Sequence, residues 1–476
     1  MIIGSLRNKA MKRLFIICAL IAIPALRMMA EVDPNFYIYI CFGQSNMEGN
    51  AKPEDIDKKG IDKRFRLLAT CNFENPSRTM GNWYKATPPL VSPAGGLGPT
   101  DYFGRTMCEA LPESVRIGVI PVAMGGSPIE MFDKDKYQQQ LKDHPSDWWA
   151  ILANNHYGGN PYGRIIEMAK KAQEVGVIKG ILLHQGCSNC GNPDWPNMVK
   201  KIYNDMLTDL NLGADSVPLF VGEVEYQGAG TNAESGGCAG HNVQVARIPS
   251  VIPTGHVISA EGCPGNNSDP WHFSAFGYRM LGSRYAGEAL YTLGQHVKYC
   301  SLHDYDITLN KYATYDGTTH TLTATESGNG LANWVYPHFA DWSGSKYLVI
   351  KLKEAADPMV GLRLYGKNKT LEYRDTLNDR TTMVVDLHNL KYSSKIMDPS
   401  MIYKMVLFVP KNTKVVLDDI FLSDDETYGE LLSVKNVEKE KVSSCAPIYS
   451  LDGRRAYREA LKPGLYVQKG KKMIVR

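Results

Sequence analysis

Between Phe36 and about Val297, short apolar runs alternate with amphipathic stretches, and no other property of the chain narrows its fold as much. An apolar run too short for a helix and bounded by turn residues reads as a strand buried on both faces. Alternating with stretches of 3.6-residue periodicity, such runs predict a parallel sheet covered by helices. Five strands are expected, at Phe36–Phe42, Arg116–Ala123, Ile178–His184, Val217–Val224 and Gly255–Ala260. Four helices are expected between or after them, at Asp101–Leu111, Gly163–Val175, Pro196–Leu210 and Ser274–Leu293. The fold class is therefore α/β, a doubly wound, five-stranded parallel sheet flanked by helices.

After Tyr299 the texture changes. Alternating runs such as YLVIKLK at Tyr347–Lys353, TTMVVDL at Thr381–Leu387 and KVVLDDIFL at Lys414–Leu422 follow one another without helices, which predicts an antiparallel β-sandwich. A charged linker at Val434–Ser444 leads to a closing segment whose turn signals, Asp452-Gly453, Pro463-Gly464 and Gly470, separate short strands of a small β tail. The expected divisions are 1–30, 31–298, 299–426 and 427–476.

The first division reads as a signal peptide. Arg7, Lys9, Lys12 and Arg13 precede an apolar run from Leu14 to Leu26, and Met28-Met29-Ala30 offers a small residue for cleavage. The mature chain is expected to begin near Glu31 and to be secreted or held at the cell surface. No later run approaches the about 18 apolar residues of a membrane span. With 53 Lys+Arg against 50 Asp+Glu, the charge balance excludes the strongly basic field of a nucleic-acid binder. Ten cysteines become nine once Cys18 leaves with the signal, so they cannot all pair. Cys187 and Cys190 form a lone C-x-x-C without a second pair or histidines at zinc spacing, which argues for a disulfide or two packed thiols rather than a metal. No metal or other cofactor is expected.

In an open parallel sheet the loops leaving the carboxyl ends of the strands share one edge. Four of the five expected strands bring reactive residues there: Ser45 in GQSNMEG, MGGS at Met124–Ser127, HQGCSN at His184–Asn189 and DPWHF at Asp269–Phe273. A serine nucleophile needs a base within hydrogen-bond reach and an acceptor to orient that base. Asp269 and His272 stand three apart ahead of the last helix and fit those two roles; the competing reading makes Asp269 a helix cap. The oxyanion of an acyl transfer needs aimed donors. Gly125 and Gly126 allow a backbone N–H to approach closely, and Gln185 offers a side-chain amide.

These four blocks in this order resemble the SGNH-hydrolase superfamily and, more narrowly, carbohydrate esterase family 6 and the sialate O-acetylesterase domain. The likeness covers about Phe36 to Val297. It implies Ser45 as nucleophile, His272 as general base and Asp269 as its orienter. It also implies an oxyanion hole of the Ser45 and Gly125 amides with the Gln185 side chain, Gly126 standing as the alternative to Gly125. Cys187 departs from the pattern, since many relatives carry an acidic residue after HQG. The G-x-S-x-G elbow of α/β-hydrolases is absent, because Asn46 and Met47 follow the serine. The β-rich stretch is similar to galactose-binding-like jelly-roll modules, with Trp334, Tyr336, His338 and Trp342 as a candidate sugar platform. The tail resembles the C-terminal sorting domains of type IX secretion cargo, which implies secretion machinery as a partner.

The resemblance implies a serine esterase that removes O-acetyl groups from polysaccharides such as acetylated xylan. Two other readings stand beside it: a sialate 9-O-acetylesterase, which needs a basic residue such as Arg164, Arg247 or Lys85 at the site, and a non-catalytic carbohydrate-binding surface protein. Trp148, Trp149 and Tyr157 are candidates for stacking on sugar rings, and the GGCAGHN loop at Gly236–Asn242 for contacting them.

Overall fold

The structure is a computed structural model. It describes residues 32–214, 216–226, 237–295, 300–377 and 381–424, together with the backbone of short strands between 448 and 475. The signal-peptide reading, the linker and the side chains of the tail lie outside the described residues.

All five expected strands are present, and two more join them. The strands are β1 Phe36–Gly43, β2 Phe65–Leu68, β3 Trp83–Lys85, β4 Arg116–Ala123, β5 Val177–His184, β6 Leu219–Gly222 and β7 Gly255–Ile258, in the spatial order β3-β2-β4-β1-β5-β6-β7. Six run parallel, while β3 lies antiparallel to β2 at one edge. The expectation of five strands is thus corrected to seven. The two extra strands span four and three residues, too few for a periodic signal.

Successive residues of β1 enter opposite cores, as a strand covered on both faces requires. Ile38, Ile40 and Phe42 pack under the helices Trp148–Tyr157, Pro161–Gln173 and Trp195–Asp209. Tyr39 and Cys41 pack under Pro99–Ala110 and Ala275–Thr292. Each fully buried aliphatic side chain contributes about 1.5–3 kcal/mol relative to its exposed state. Helix starts are locally encoded: Pro161 follows Asn160, whose side chain accepts from Gly163 N at 2.7 Å, and Ser274 Oγ accepts from Gly277 N at 3.1 Å. Ser274 is therefore the cap of the last helix, which leaves Asp269 to other partners.

From Thr308 to Ser423 the chain forms two five-stranded sheets around one apolar core. Their described pairings are antiparallel. Trp334, Tyr336 and Trp342 belong to that core, and Trp334 Nε1 donates to Ser301 O at 2.7 Å. His338 stacks on Tyr291 of the last helix, with ring centroids 3.8 Å apart. Trp334, Tyr336 and Trp342 are therefore structural rather than an exposed sugar platform, and of the four only His338 stays exposed. Residues 423–476 form a separate unit, in which Ile448–Ser450, Arg455–Ala456, Gly464–Gln468 and Lys471–Val475 make a four-stranded antiparallel sheet. Among the described residues no helix is long and apolar enough to cross a membrane.

Candidate active site

The register of the three central strands places the first three blocks level with one another. Gly43 at the end of β1 is opposite Ala123 of β4 and His184 of β5. Ser45 lies two residues beyond Gly43, Gly125 two beyond Ala123, and Gln185 one beyond His184. Gly43 has φ +149°, and a Cβ there would meet His184 O at 2.1 Å, so glycine alone permits this approach of β1 to β5. Ser45 then opens a four-residue helical turn, where geometry leaves its N–H without an intrahelical acceptor.

The fourth block arrives from the loop after β7. Asn266 Oδ1 accepts from Ser268 N at 2.9 Å and Asp269 N at 3.1 Å, and Asn266 Nδ2 donates to Asp269 Oδ2 at 2.9 Å. Asp269 Oδ1 accepts from the backbone N–H groups of Trp271 and His272, each at 2.9 Å. His272 Nδ1 donates to Asp269 Oδ2 at 2.9 Å, which leaves Nε2 as the acceptor for the Ser45 hydroxyl at 2.8 Å. Burial raises the Asp269 pKa, but the hydrogen bonds from Asn266, His272 and Trp271 N outweigh it and bring the carboxyl down to about 2. Ser45, His272 and Asp269 thus form one hydrogen-bonded chain.

Three residues of the first block that sequence reasoning passed over hold this arrangement. Asn46 Nδ2 donates to Trp271 O at 2.9 Å and Asn46 Oδ1 accepts from Tyr278 OH at 2.7 Å, which ties the serine turn to the histidine loop. Gln44 Oε1 accepts from Gly186 N at 3.0 Å. Buried Glu48 accepts from Ser92 Oγ and from Gly125 N, both at 2.7 Å. Burial pushes the Glu48 pKa up against those two hydrogen bonds. Their sequence signal was proximity to Ser45 and nothing more.

Gly125 lies beside the serine, since a Cβ on it would be 3.7 Å from Ser45 Cβ and 3.6 Å from Trp148 Nε1. Its N–H is given to Glu48, a stronger acceptor than a neutral oxygen. Gln185 Oε1 accepts from Trp195 Nε1 at 2.6 Å, and its Nε2 donates to Asn189 Oδ1 at 2.6 Å and Ser127 O at 3.3 Å. Of the three expected oxyanion donors, Gly125 and Gln185 are therefore engaged with other partners. His184, fully buried, has its pKa lowered to about 3 by desolvation and serves as a neutral core group.

Cys187 pairs with Cys238, not with Cys190, whose thiol lies 3.8 Å from Cys238 O. In the loop predicted to meet sugar, the described residue Asn242 clasps Val224 N at 2.8 Å and Val224 O at 3.0 Å. Trp149 and Tyr157 are buried, whereas Trp148 is 60% exposed. Arg164 is tied to Thr70 O and Glu167, Arg247 to Pro193 O and Gln244, and Lys85 lies on the edge strand β3. Among the described residues, Asp133, Asp135 and Asp205 come close enough to share a cation, and the Lys201 ammonium bridges all three at 2.7–2.9 Å. A surface depression lined by Asp33, Phe36, Lys63, Arg66, Trp83, Arg116 and Val175 lies at the opposite ends of the strands from Ser45.

Comparison with known proteins matches residues 35–291, more than half of the chain, to the family model described as carbohydrate esterase, sialic acid-specific acetylesterase. Among solved structures, a protein of Arabidopsis thaliana shares 20% identity over 54% of this chain and 98% of that one, with a TM-score of 0.40. A carbohydrate acetylesterase from Xanthomonas citri shares 15% identity over 81% of this chain and 80% of that one, at a TM-score of 0.37. Est24, a carbohydrate acetylesterase from Sinorhizobium meliloti, shares 12% over 54% and 99%, at 0.29.

Proposed function

Because the chain belongs to the carbohydrate esterase family of sialic acid-specific acetylesterases, we propose that it removes O-acetyl groups from polysaccharides such as acetylated xylan, with Ser45 as the nucleophile. The observation that carries this is the chain Ser45 Oγ–His272 Nε2 at 2.8 Å and His272 Nδ1–Asp269 Oδ2 at 2.9 Å. Ser45 Oγ attacks the acetyl carbonyl carbon while its proton passes to His272 Nε2, and the ionised Asp269 stabilises the resulting imidazolium. The oxyanion forms beside the Ser45 N–H, with Gly125 N–H in reach only when Glu48 releases it. Collapse breaks the bond from the acetyl carbon to the sugar oxygen, which takes the proton from His272 and departs as an alcohol. Water, deprotonated by His272, then attacks the acetyl-enzyme, and acetate leaves as Ser45 Oγ regains its proton. These residues belong to an SGNH-type hydrolase layout, and they call for no metal.

The decisive measurement is acetate release from acetylated xylan and p-nitrophenyl acetate by wild type and Ser45→Ala. The variant is expected to lose turnover by at least about 10³-fold while keeping its unfolding temperature. Undiminished turnover rejects the assignment. A second reading, a sialate 9-O-acetylesterase, draws on the description of the matching family; faster acetate release from mucin than from xylan decides in its favour. The N-terminal segment and the tail support export to the medium or cell surface, the tail engaging secretion machinery and the β-rich stretch acting as a galactose-binding-like module. Finding the protein only inside fractionated cells overturns the export reading.

A further inference from the structure

An acyl-transfer oxyanion is normally met by more than one aimed donor, and around Ser45 most of the nearby N–H groups are already spent. Gly125 N–H goes to Glu48, and Gln185 Nε2 to Asn189 and Ser127 O. Asn46 Nδ2 is likewise given to Trp271 O, and Gly186 N–H to Gln44. A partner for the Ser45 N–H has to come from a group that these networks leave free.

Beside Gly125 there is one. Met124 O accepts from Ser127 N at 3.2 Å, which closes a turn over Gly125 and Gly126. Neither glycine carries a side chain, and the start of the helix Trp148–Tyr157 comes up against the turn. Trp149 is buried, and its Cδ1 would lie 3.8 Å from a Cβ on Gly126; its neighbour Trp148 brings Nε1 to 3.6 Å from a Cβ on Gly125. The position of that absent Cβ is also 3.7 Å from Ser45 Cβ and 3.2 Å from Glu48 Oε2. Nucleophile, indole N–H and carboxylate thus converge on one atom-sized space.

Among the described residues no acceptor takes the Trp148 N–H, whereas Trp195 and Trp334 give theirs to Gln185 Oε1 and Ser301 O. Solvent can satisfy it, since Trp148 is exposed, and a substrate oxygen can replace that solvent without leaving a buried group unpaired. The two groups flanking the space are opposite in kind, Glu48 Oε2 accepting and Trp148 Nε1 donating. A carbonyl oxygen entering it is turned from the first and hydrogen-bonded by the second. Because buried Trp149 anchors the helix start, the donor is aimed before the ester arrives, as electrostatic stabilisation of a transition state requires.

We infer that the Trp148 indole N–H is an oxyanion donor of this site, acting beside the Ser45 N–H in the place of the Gly125 N–H that Glu48 holds. This rests on the esterase reading above. Trp148 keeps its proton throughout. Its N–H hydrogen-bonds the acetyl oxygen as negative charge develops there, both when the acetyl-enzyme forms and when water breaks it down. Gly126 N–H, also without an acceptor among the described residues, is the competing donor.

The test measures acetate release from ethyl acetate and p-nitrophenyl acetate by wild type and Trp148→Phe, which keeps an aromatic ring and loses the N–H. Ethyl acetate has no ring, so stacking does not enter its rate. The variant is expected to keep its unfolding temperature and to lose kcat and kcat/KM together, by about 10- to 100-fold, on both esters. Unchanged kcat and kcat/KM overturn the proposal and leave the second donor to Gly126 N–H. A raised KM with kcat unchanged, the mark of uniform binding, overturns it as well. Wild type alone gives a second measurement, which stands even where the variant misfolds. Trifluoroacetone adds to a serine hydroxyl as a hemiketal whose oxygen copies the oxyanion, and the Trp148 indole proton resonance is expected to move downfield as the adduct forms. An unmoved resonance overturns the proposal. In each of these cases, ester hydrolysis that is lost in Ser45→Ala leaves the esterase reading standing. A wild type whose ester hydrolysis does not depend on Ser45 brings down the esterase reading and the Trp148 donor with it.

Discussion

His272 gains its orientation from a carboxylate that is itself held by four hydrogen bonds, from Asn266, Trp271 N, His272 N and the imidazole. The Asp269 pKa of about 2 keeps that carboxylate ionised through any ordinary assay pH. Asp269→Asn removes the charge and presents an amide that stabilises the wrong imidazole tautomer. The expected loss in kcat is about 10²- to 10⁴-fold, measured as acetate release at neutral pH. The same residue gives a stability signature. Its folded pKa lies below the ordinary 3.8, so its contribution is complete above about pH 4 and is lost as pH falls toward about 2. Screened by solvent, it is on the order of 1–2 kcal/mol. Unfolding curves between pH 5 and about pH 2 should therefore slope less for Asp269→Asn than for wild type. At this scale the reactive types were readable from the chain, because serine, histidine and aspartate in glycine-bounded and helix-preceding loops carry recognisable chemistry. Their supports were not: Asn46 and Glu48 act through contacts with Trp271, Tyr278, Ser92 and Gly125, which no local pattern announces.

The elements that matter are three neighbouring strands, β4, β1 and β5, whose ends coincide in register. That coincidence depends on Gly43. Gly43→Ala drives a methyl into His184 O and must part β1 from β5 or shift their register. A destabilisation of about 3 kcal/mol or more is expected, read as a lowered urea midpoint, with activity falling alongside. The long elements were legible because an eight-residue apolar strand or a capped amphipathic helix repeats its signal several times. β2 and β3 repeat it once or twice, and the helix Tyr137–Asp143 offers only Tyr137 and Leu141, partly buried against the core, as an apolar face. Adjacency to longer strands, not intrinsic pattern, makes β2 and β3 strands.

Across the whole folded unit, the helix that follows His272 also carries the β-rich sheets. Glu288 on that helix accepts from His256 Nδ1 at 2.7 Å and from His338 Nε2 at 2.5 Å, so one carboxylate joins β7 to the strand Gly330–Ala340. Burial raises the Glu288 pKa, and the two histidine contacts outweigh it, leaving the carboxyl below its ordinary range. A depressed value means a contribution present above the unfolded-state pKa and lost as pH falls through the folded one. Glu288→Gln should therefore cost about 1–3 kcal/mol near neutrality, and its unfolding temperature should converge on that of wild type in acid. By itself the sequence determined the types and order of most long elements, the unexpected helix Trp148–Tyr157 excepted, and the residue types able to do acyl-transfer chemistry, because hydrophobic periodicity and loop composition are local properties. Only the tertiary structure decided that Ser45 meets His272 across 227 positions, that Cys187 pairs with Cys238, and which tryptophans stay in water. Those outcomes depend on strand order, register and packing, which are settled by contacts between distant segments.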